Sequence, residues 1–141
     1  MKQKLNFITI GVKDLEKMRN FYSNILGWIP LKVSDGIVFF KMNGSILALF
    51  PENELAADIG IENDGTGFKR FTLAINFGSE KEVDEQFEIL DAGKVKIIKP
   101  PAKVFWGGYS GYFADPENNY WELAYNPFLE MDAQGNISSD E

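Results

Sequence analysis

The order of predicted secondary structure elements repeats along the chain, and this repeat is the strongest constraint on its fold. Alternating apolar residues predict strands, and apolar residues at three- and four-residue spacing predict helices. The first series contains one helix and four strands, at Leu5–Val12, Leu15–Leu26, Trp28–Val33, Ile37–Met42 and Ser45–Phe50. The second series has the same order, at Arg70–Phe77, a helix between Ser79 and Gly93, Val95–Ile98, Tyr109–Phe113 and Tyr120–Tyr125. The pattern therefore predicts β-α-β-β-β twice.

The two series also match in sequence at two places. Phe7-Ile8-Thr9-Ile10 corresponds to Phe71-Thr72-Leu73-Ala74, and Leu47-Ala48-Leu49 corresponds to Trp121-Glu122-Leu123. Neither half is long enough to close a core alone, so we expect two sheets that face each other across a shared cavity. The predicted fold class is α+β, with two βαβββ modules forming a cupped mixed sheet around one cavity.

The boundaries of the predicted modules follow from the polar segments between elements. We predict a single domain over residues 1–128, with modules at about residues 4–62 and 67–128, followed by a C-terminal tail at 129–141. Between the modules, Pro51–Thr66 is polar and contains glycine, which is typical of a linker or a lid. A short helical turn is predicted within it at Glu52–Asp58.

The absence of His and Cys restricts the chemistry that this chain can perform. Without them there is no imidazole base, no thiolate nucleophile and no His or Cys ligand for a transition metal. The net charge of −7 argues against nucleic acid and anionic membranes as partners, because both attract clustered Lys and Arg. No apolar run is long enough for a signal peptide or a membrane span, so we expect a cytoplasmic location.

Glu122 is an acidic residue inside an otherwise apolar and aromatic strand. The turn residues Asp115-Pro116-Glu117-Asn118-Asn119 precede that strand and predict a β-hairpin. If Trp121, Leu123 and Tyr125 pack under a helix, strand alternation places Glu122 on the opposite face, with Tyr120 and Ala124. Three interpretations are open: a remnant carboxylate bonded to backbone or water, a polar anchor for a ligand amine or hydroxyl, and a general base.

The segments at the two ends of the β-α-β-β-β repeat resemble those of a known family. The opening segment VKDLEKMRNFYSNILGW and the closing segment DPENNYWELAYNP resemble those of the vicinal oxygen chelate superfamily, which includes glyoxalase I, extradiol dioxygenases, fosfomycin-modifying enzymes and bleomycin-binding proteins. The resemblance covers about residues 5–127 and implies the two-module fold with its central cavity. It also implies four metal-ligand positions, which fall at Phe7, Ala48, Phe71 and Glu122. Because only Glu122 could bind a metal, we expect no metal site and no cofactor.

The face assignments and the resemblance together give a set of candidate ligand-binding residues. They are Phe7, Thr9, Ala48, Phe71, Leu73, Trp106, Tyr109, Tyr112, Tyr120 and Glu122, the last also being the candidate catalytic residue. Phe7 and Phe71 either stack on an apolar ligand in an open cavity or fill the space that a metal would occupy. The aromatic residues around Gly107-Gly108 form either a rigid turn or a mobile flap over a pocket.

These observations predict a metal-independent, bleomycin-resistance-like protein that binds an unidentified small molecule in an aromatic cavity. One alternative is a lyase or isomerase that uses Glu122 as a base or residual ligand. Another is a structural or regulatory domain whose cavity is filled. A homodimer is also expected, because the resemblance implies pairing and because aromatic residues cluster in Phe105–Tyr112 and Tyr120–Phe128. We expect Tyr125–Phe128 near that interface.

Overall fold

The protein is described by a computed structural model covering residues 1–31 and 36–138. The chain divides into two compact units, Met1–Phe68 and Lys69–Glu141. Within the described residues, each unit has one mixed sheet, of three strands in the first unit and four in the second. The predicted α+β class and its two modules are therefore confirmed.

In the first unit, β1 (Phe7–Val12) and β2 (Val38–Lys41) flank β3 (Ile46–Pro51). β1 runs parallel to β3, and β2 runs antiparallel to it. The β2–β3 connection contains Asn43 and Gly44 and is closed by a hydrogen bond from Met42 N to Ser45 O of 2.8 Å.

Helix α1 (Leu15–Asn20) begins where the sequence predicts it. The Asp14 side chain accepts a hydrogen bond of 3.0 Å from Lys17 N, which satisfies a backbone donor at the helix start. The helix continues as a π-helix at Phe21–Ile25 and ends near Gly27, whose φ of 77° favours glycine. Its Met18 and Tyr22 are fully buried, together with alternate residues of the strands, namely Ile10, Val12, Val38, Phe40, Leu47 and Leu49.

The predicted strand at Trp28–Val33 is wrong for the residues that the structure describes. Residues 28–31 form no strand, although Leu31 N donates a 2.9 Å hydrogen bond to Phe39 O. Pro30 has no N–H to contribute to a ladder, which explains the interruption. The Trp28 ring instead stacks on Tyr22 at 5.4 Å between centroids. Residues 32–33, and Ser34 and Asp35 of the predicted turn, lie outside the described residues.

The segment after β3 contains a helix where the sequence predicts a short helical turn. Helix α2 (Glu52–Ile59) extends one residue beyond the predicted Glu52–Asp58 and ends at Gly60 with a φ of 89°. It packs against β1, since a Cβ atom on Gly11 would lie 3.2 Å from Glu52 Cβ. In the described part of the chain, no helix is long and apolar enough to cross a bilayer.

In the second unit the strand order is β4-β7-β6-β5, with bounds Leu73–Phe77, Tyr120–Tyr125, Tyr109–Ala114 and Lys96–Lys103. β4 is parallel to β7, whereas β6 is antiparallel to both β7 and β5. Helix α3 (Glu80–Ala92) packs on this sheet through Val83, Phe87 and Leu90, which are buried and lie at helical spacing. The predicted start at Ser79 is confirmed, because its hydroxyl accepts a 3.2 Å hydrogen bond from Glu82 N.

Two strands of the second unit differ from their predicted bounds. β4 begins at Leu73 rather than Arg70, because Arg70 has a φ of 63°, a left-handed value that interrupts an extended strand. Phe71 therefore precedes the strand. β5 continues through Pro100 and Pro101, beyond the predicted end at Ile98. Proline is tolerated there because β5 is the edge strand of the sheet.

The strand pairing corrects the predicted correspondence between the units by one residue. Thr9 lies opposite Ala48 in the first sheet, and Ala74 lies opposite Glu122 in the second. If Ala48 corresponds to Glu122, then Thr9 corresponds to Ala74 rather than to Leu73. A shift of one residue moves a side chain to the other face of a sheet, so this correction matters for the site.

The segment 129–138 of the predicted tail is partly structured. Met131 and Ile137 form an isolated antiparallel bridge. The turn between them is held by the Asp132 carboxylate, which accepts 2.9 Å hydrogen bonds from Gln134 N and Asn136 N.

Candidate functional site

The second sheet has two chemically different faces. Trp121 and Leu123 of β7 are buried, and the Trp121 ring lies parallel to that of Phe113 at 6.3 Å between centroids. Phe87 of α3 reaches the same face, because its ring would contact a Cβ atom placed on Gly111. Since side chains alternate along a strand, Glu122 lies on the face away from α3, which confirms the prediction for Trp121, Glu122 and Leu123.

Tyr112 is the direct cross-strand neighbour of Glu122. The two residues are opposite each other in the β6–β7 ladder, so their side chains lie on the same face. Burial raises the pKa of the Tyr112 phenol, and the negative charge of Glu122 and a side-chain hydrogen bond to it raise the pKa further. The phenol is therefore protonated at neutral pH and lies beside the Glu122 carboxylate.

Tyr120 completes an aromatic and acidic group on this face. It lies two residues before Glu122 on β7 and opposite Ala114 of β6. Tyr112, Tyr120 and Glu122 are all half-buried. We call these three residues the Glu122 cluster. A carboxylate beside a phenol and a second aromatic ring can bind an amine or a hydroxyl group.

Leu73 and Tyr109, two of the predicted ligand-binding residues, do not share the face of this cluster. Leu73 lies opposite Trp121, on the face covered by α3. The Tyr109 hydroxyl donates a 2.5 Å hydrogen bond to Asp84 Oδ1 of α3. That bond, followed by burial and by the charges of Asp84 and Glu80, raises the pKa of Tyr109 to about 12. The sequence alone could have shown that Tyr109 and Tyr112 lie on opposite faces of the sheet, because they are an odd number of residues apart on one strand.

Trp106 and Phe71 lie outside the strands of the second sheet. Trp106 belongs to the β5–β6 loop, which is closed by 3.0 Å hydrogen bonds from Val104 N to Gly108 O and from Gly107 N to Val104 O. Its ring covers Gly108 so closely that a Cβ atom on that glycine would overlap the indole. Phe71 precedes β4 and is 41% exposed.

The three predicted residues of the first unit share one face of its sheet. Phe7, Thr9 and Ala48 lie on the face away from α1, by their strand register. The Phe7 ring contacts that of Phe39 edge-on at 6.0 Å. It also lines an open groove of about 600 Å³ with Asn6, Ile46 and the β2–β3 turn, residues 41–45.

The donor set does not fit a transition metal. The chain has no His or Cys, and the described residues contain no group of three or more acidic side chains that could hold an ion. The direct strand neighbours of Glu122 are Ala74 and Tyr112. The structure thus offers one carboxylate where a bound metal would need several ligands.

The structure is similar to solved structures of glyoxalase-related proteins. A glyoxalase-related enzyme from Fulvimarina pelagi superimposes with a TM-score of 0.85 at 34% identity, covering 99% of this chain and 100% of that one. The fosfomycin resistance protein FosX from Listeria monocytogenes superimposes with a TM-score of 0.70 at 28% identity, covering 91% and 97%.

Sequence comparison finds relatives in the same group. The metallothiol transferase FosB of Staphylococcus saprophyticus is 30% identical over 123 residues, covering 87% of this chain and 77% of the relative. The FosB protein of Lysinibacillus sphaericus is 31% identical over 121 residues, covering 86% and 81%. The family model of the Glyoxalase/Bleomycin resistance protein/Dioxygenase superfamily matches residues 4–123. The chain therefore belongs to this superfamily.

Proposed function

We propose that this protein binds a small molecule without a metal, using Glu122 as the polar anchor. The observation that supports this most is the half-buried pair of Tyr112 and Glu122 on the face of the second sheet away from α3. The phenol lies beside the carboxylate, whose oxygen atoms can accept hydrogen bonds from a ligand. Tyr120 adds an apolar ring, and the net charge of −7 favours a ligand with a cationic group.

The relatives named metallothiol transferases raise the alternative of a metal-dependent reaction. The absence of His and Cys argues against that reaction in this chain. A metal-independent lyase or isomerase with Glu122 as base is the second candidate, favoured by the position of the carboxylate. The absence of His, the usual general base near neutral pH, weighs against the enzyme and supports the anchor. The third candidate is a structural domain whose cavity is filled, and such a domain would bind no ligand.

Glu122→Gln is expected to keep the fold and to weaken binding of amine ligands at least about tenfold, the loss expected when a charge-assisted hydrogen bond becomes a neutral one. A thermal-shift screen of cationic, acidic and neutral aromatic compounds would identify binders, and calorimetry would compare the two proteins. Elemental analysis of the same preparation should find no stoichiometric transition metal.

Two results would contradict this proposal. Equal binding of every compound by the parent and Glu122→Gln would show that the carboxylate is not the anchor. About one transition metal per chain, lost in Glu122→Ala, would show that the carboxylate is a metal ligand. Tyr109→Phe is the matched control, since it alters a phenol on the opposite face of the same sheet.

We also propose that the protein is a homodimer, with Tyr125–Phe128 near the interface. Phe128 is 76% exposed and Phe105 is fully exposed, so this end of the second sheet presents apolar surface. We expect at least about 1,200 Å² to be buried in total, the lower bound for a specific interface. Sedimentation at micromolar concentration tests this, and a mass equal to the 15.9 kDa of one chain at every concentration would refute it.

A further inference from the structure

The edge strand β5 is irregular around Lys99. Its register against β6 shifts twice, once between Ile97 and Lys99 and once between Lys99 and Ala102. Ile97 lies opposite Phe113, whereas Lys99 lies opposite Tyr112, which is the next residue of β6. Ile98 is therefore the extra residue of a bulge, and its side chain is 44% exposed.

The bulge decides which side chain stands beside Tyr112. In a regular ladder Ile98 would lie opposite Tyr112, and an apolar side chain would stand next to the Glu122 cluster. With the extra residue, Lys99 takes that position and presents an ammonium group instead. Bulges near functional sites commonly redirect a side chain in this way.

Gly111 allows the backbone of β5 to make this detour. A Cβ atom on Gly111 would lie 2.7 Å from the Lys99 carbonyl oxygen and 2.8 Å from Pro101 N. Both are backbone atoms, so they cannot move away as the end of a flexible side chain would. The glycine on β6 and the prolines after Lys99 thus act together to hold the irregular segment in place.

Lys99, Tyr112 and Glu122 form a cross-strand row on one face of the sheet. Neighbouring strands are about 4.8 Å apart, so the backbones of Lys99 and Glu122 are separated by about 10 Å. Lys99 is exposed, and its ammonium group has no hydrogen bond or ion pair within residues 1–31 and 36–138. The row therefore places a cation and an anion on either side of a phenol.

We propose that Lys99 binds an acidic group of the ligand whose amine or hydroxyl group is held by Glu122. The ligand is then an amphoteric small molecule that carries an acid, an amine and an aromatic ring. This inference rests on the proposed function of Glu122 and adds to it the charge pattern of the ligand. Lys99 is a specificity-determining residue that selects against simple amines.

Three related compounds test the charge pattern. Phenylalanine carries both an acid and an amine, phenethylamine carries only the amine, and 3-phenylpropionate carries only the acid. Calorimetry on the full chain should show that phenylalanine binds about fivefold more tightly than phenethylamine, the ratio given by one partly exposed ion pair. Lys99→Gln should remove this preference and leave phenethylamine binding unchanged. Lys103→Gln is the matched control, because Lys103 lies on the same strand opposite Tyr109, on the other face.

The outcomes separate this inference from the proposed function. If Glu122→Gln weakens phenethylamine binding while Lys99→Gln keeps the preference for phenylalanine, the anchor is correct and the role of Lys99 is wrong. Equal loss of the preference in Lys103→Gln would attribute it to net charge and overturn the inference. Absence of binding by all three compounds would also overturn it. If phenethylamine binds and Glu122→Gln does not weaken it, the proposed function fails as well.

Discussion

Asp115→Ala is expected to destabilise the protein by about 3–5 kcal/mol, because each buried donor left without a partner costs about 1–3 kcal/mol. The Asp115 carboxylate is 2% exposed and organises the turn between β6 and β7. It accepts hydrogen bonds of 3.0 Å from Glu117 N, 2.8 Å from Asn119 N and 2.7 Å from Asn119 Nδ2. The Asn119 side chain is also 2% exposed, so water cannot replace the lost acceptor.

The chain contains a matched control for this prediction. Asp132 makes the same pattern of three hydrogen bonds, to Gln134 N, Asn136 N and Asn136 Nδ2, at an exposed turn. Asp132→Ala should leave the free energy of unfolding unchanged within error, because water replaces the carboxylate there. Urea denaturation of both variants measures the difference. Equal losses in the two variants would show that burial is not the source of the cost.

Gly111→Ala is expected to destabilise the protein by about 2–3 kcal/mol, which is at the upper end for overpacking a tight site. The new methyl group would meet the Lys99 carbonyl oxygen, Pro101 N and Phe87 Cζ, all within 2.8 Å. Of these three, only the Phe87 ring belongs to a side chain. We therefore expect β5 to move away from β6, which would increase amide exchange in Lys96–Lys103 relative to β7.

Gly44→Ala serves as the control for that variant. A Cβ atom on Gly44 would contact nothing within 4 Å, and its φ is not in the left-handed range. Its stability in urea should equal or slightly exceed that of the parent, because alanine restricts the unfolded chain. If Gly111→Ala is as stable as Gly44→Ala, the close approach of β5 to Gly111 is not a tight contact.

The elements that depend on local signals could be predicted from the sequence. The starts of the helices at Leu15 and after Ser79 were predicted, and the side chains of Asp14 and Ser79 accept hydrogen bonds from the first helical turn. Alternation along Tyr120–Tyr125 predicted the two faces of β7. Glu122 could be recognised because a carboxylate between buried aromatic residues conflicts with the apolar pattern around it.

The residues whose positions were predicted wrongly depend on backbone conformations that local sequence patterns do not indicate. The left-handed φ of Arg70 delays β4 and changes the register that assigned Leu73 to the site. Pro100 and Pro101 are ordinary strand terminators, and only the edge position of β5 explains why the strand continues. The position of Lys99 beside Tyr112 could not be predicted either, because it requires contact between β5 and a glycine on another strand.

The parallel pairing of the first and last strands in each unit has a consequence for folding during synthesis. β1 needs β3 as a neighbour, and β4 needs β7. β4 therefore leaves the ribosome with no partner in its own unit until the hairpin of β6 and β7 has been made. Hairpins form quickly from local contacts, whereas joining β4 to β7 requires closing a long loop. The strand that carries Glu122 is thus the template on which the second sheet is completed, and a chain that stops before Tyr120 leaves an unpaired apolar edge open to aggregation.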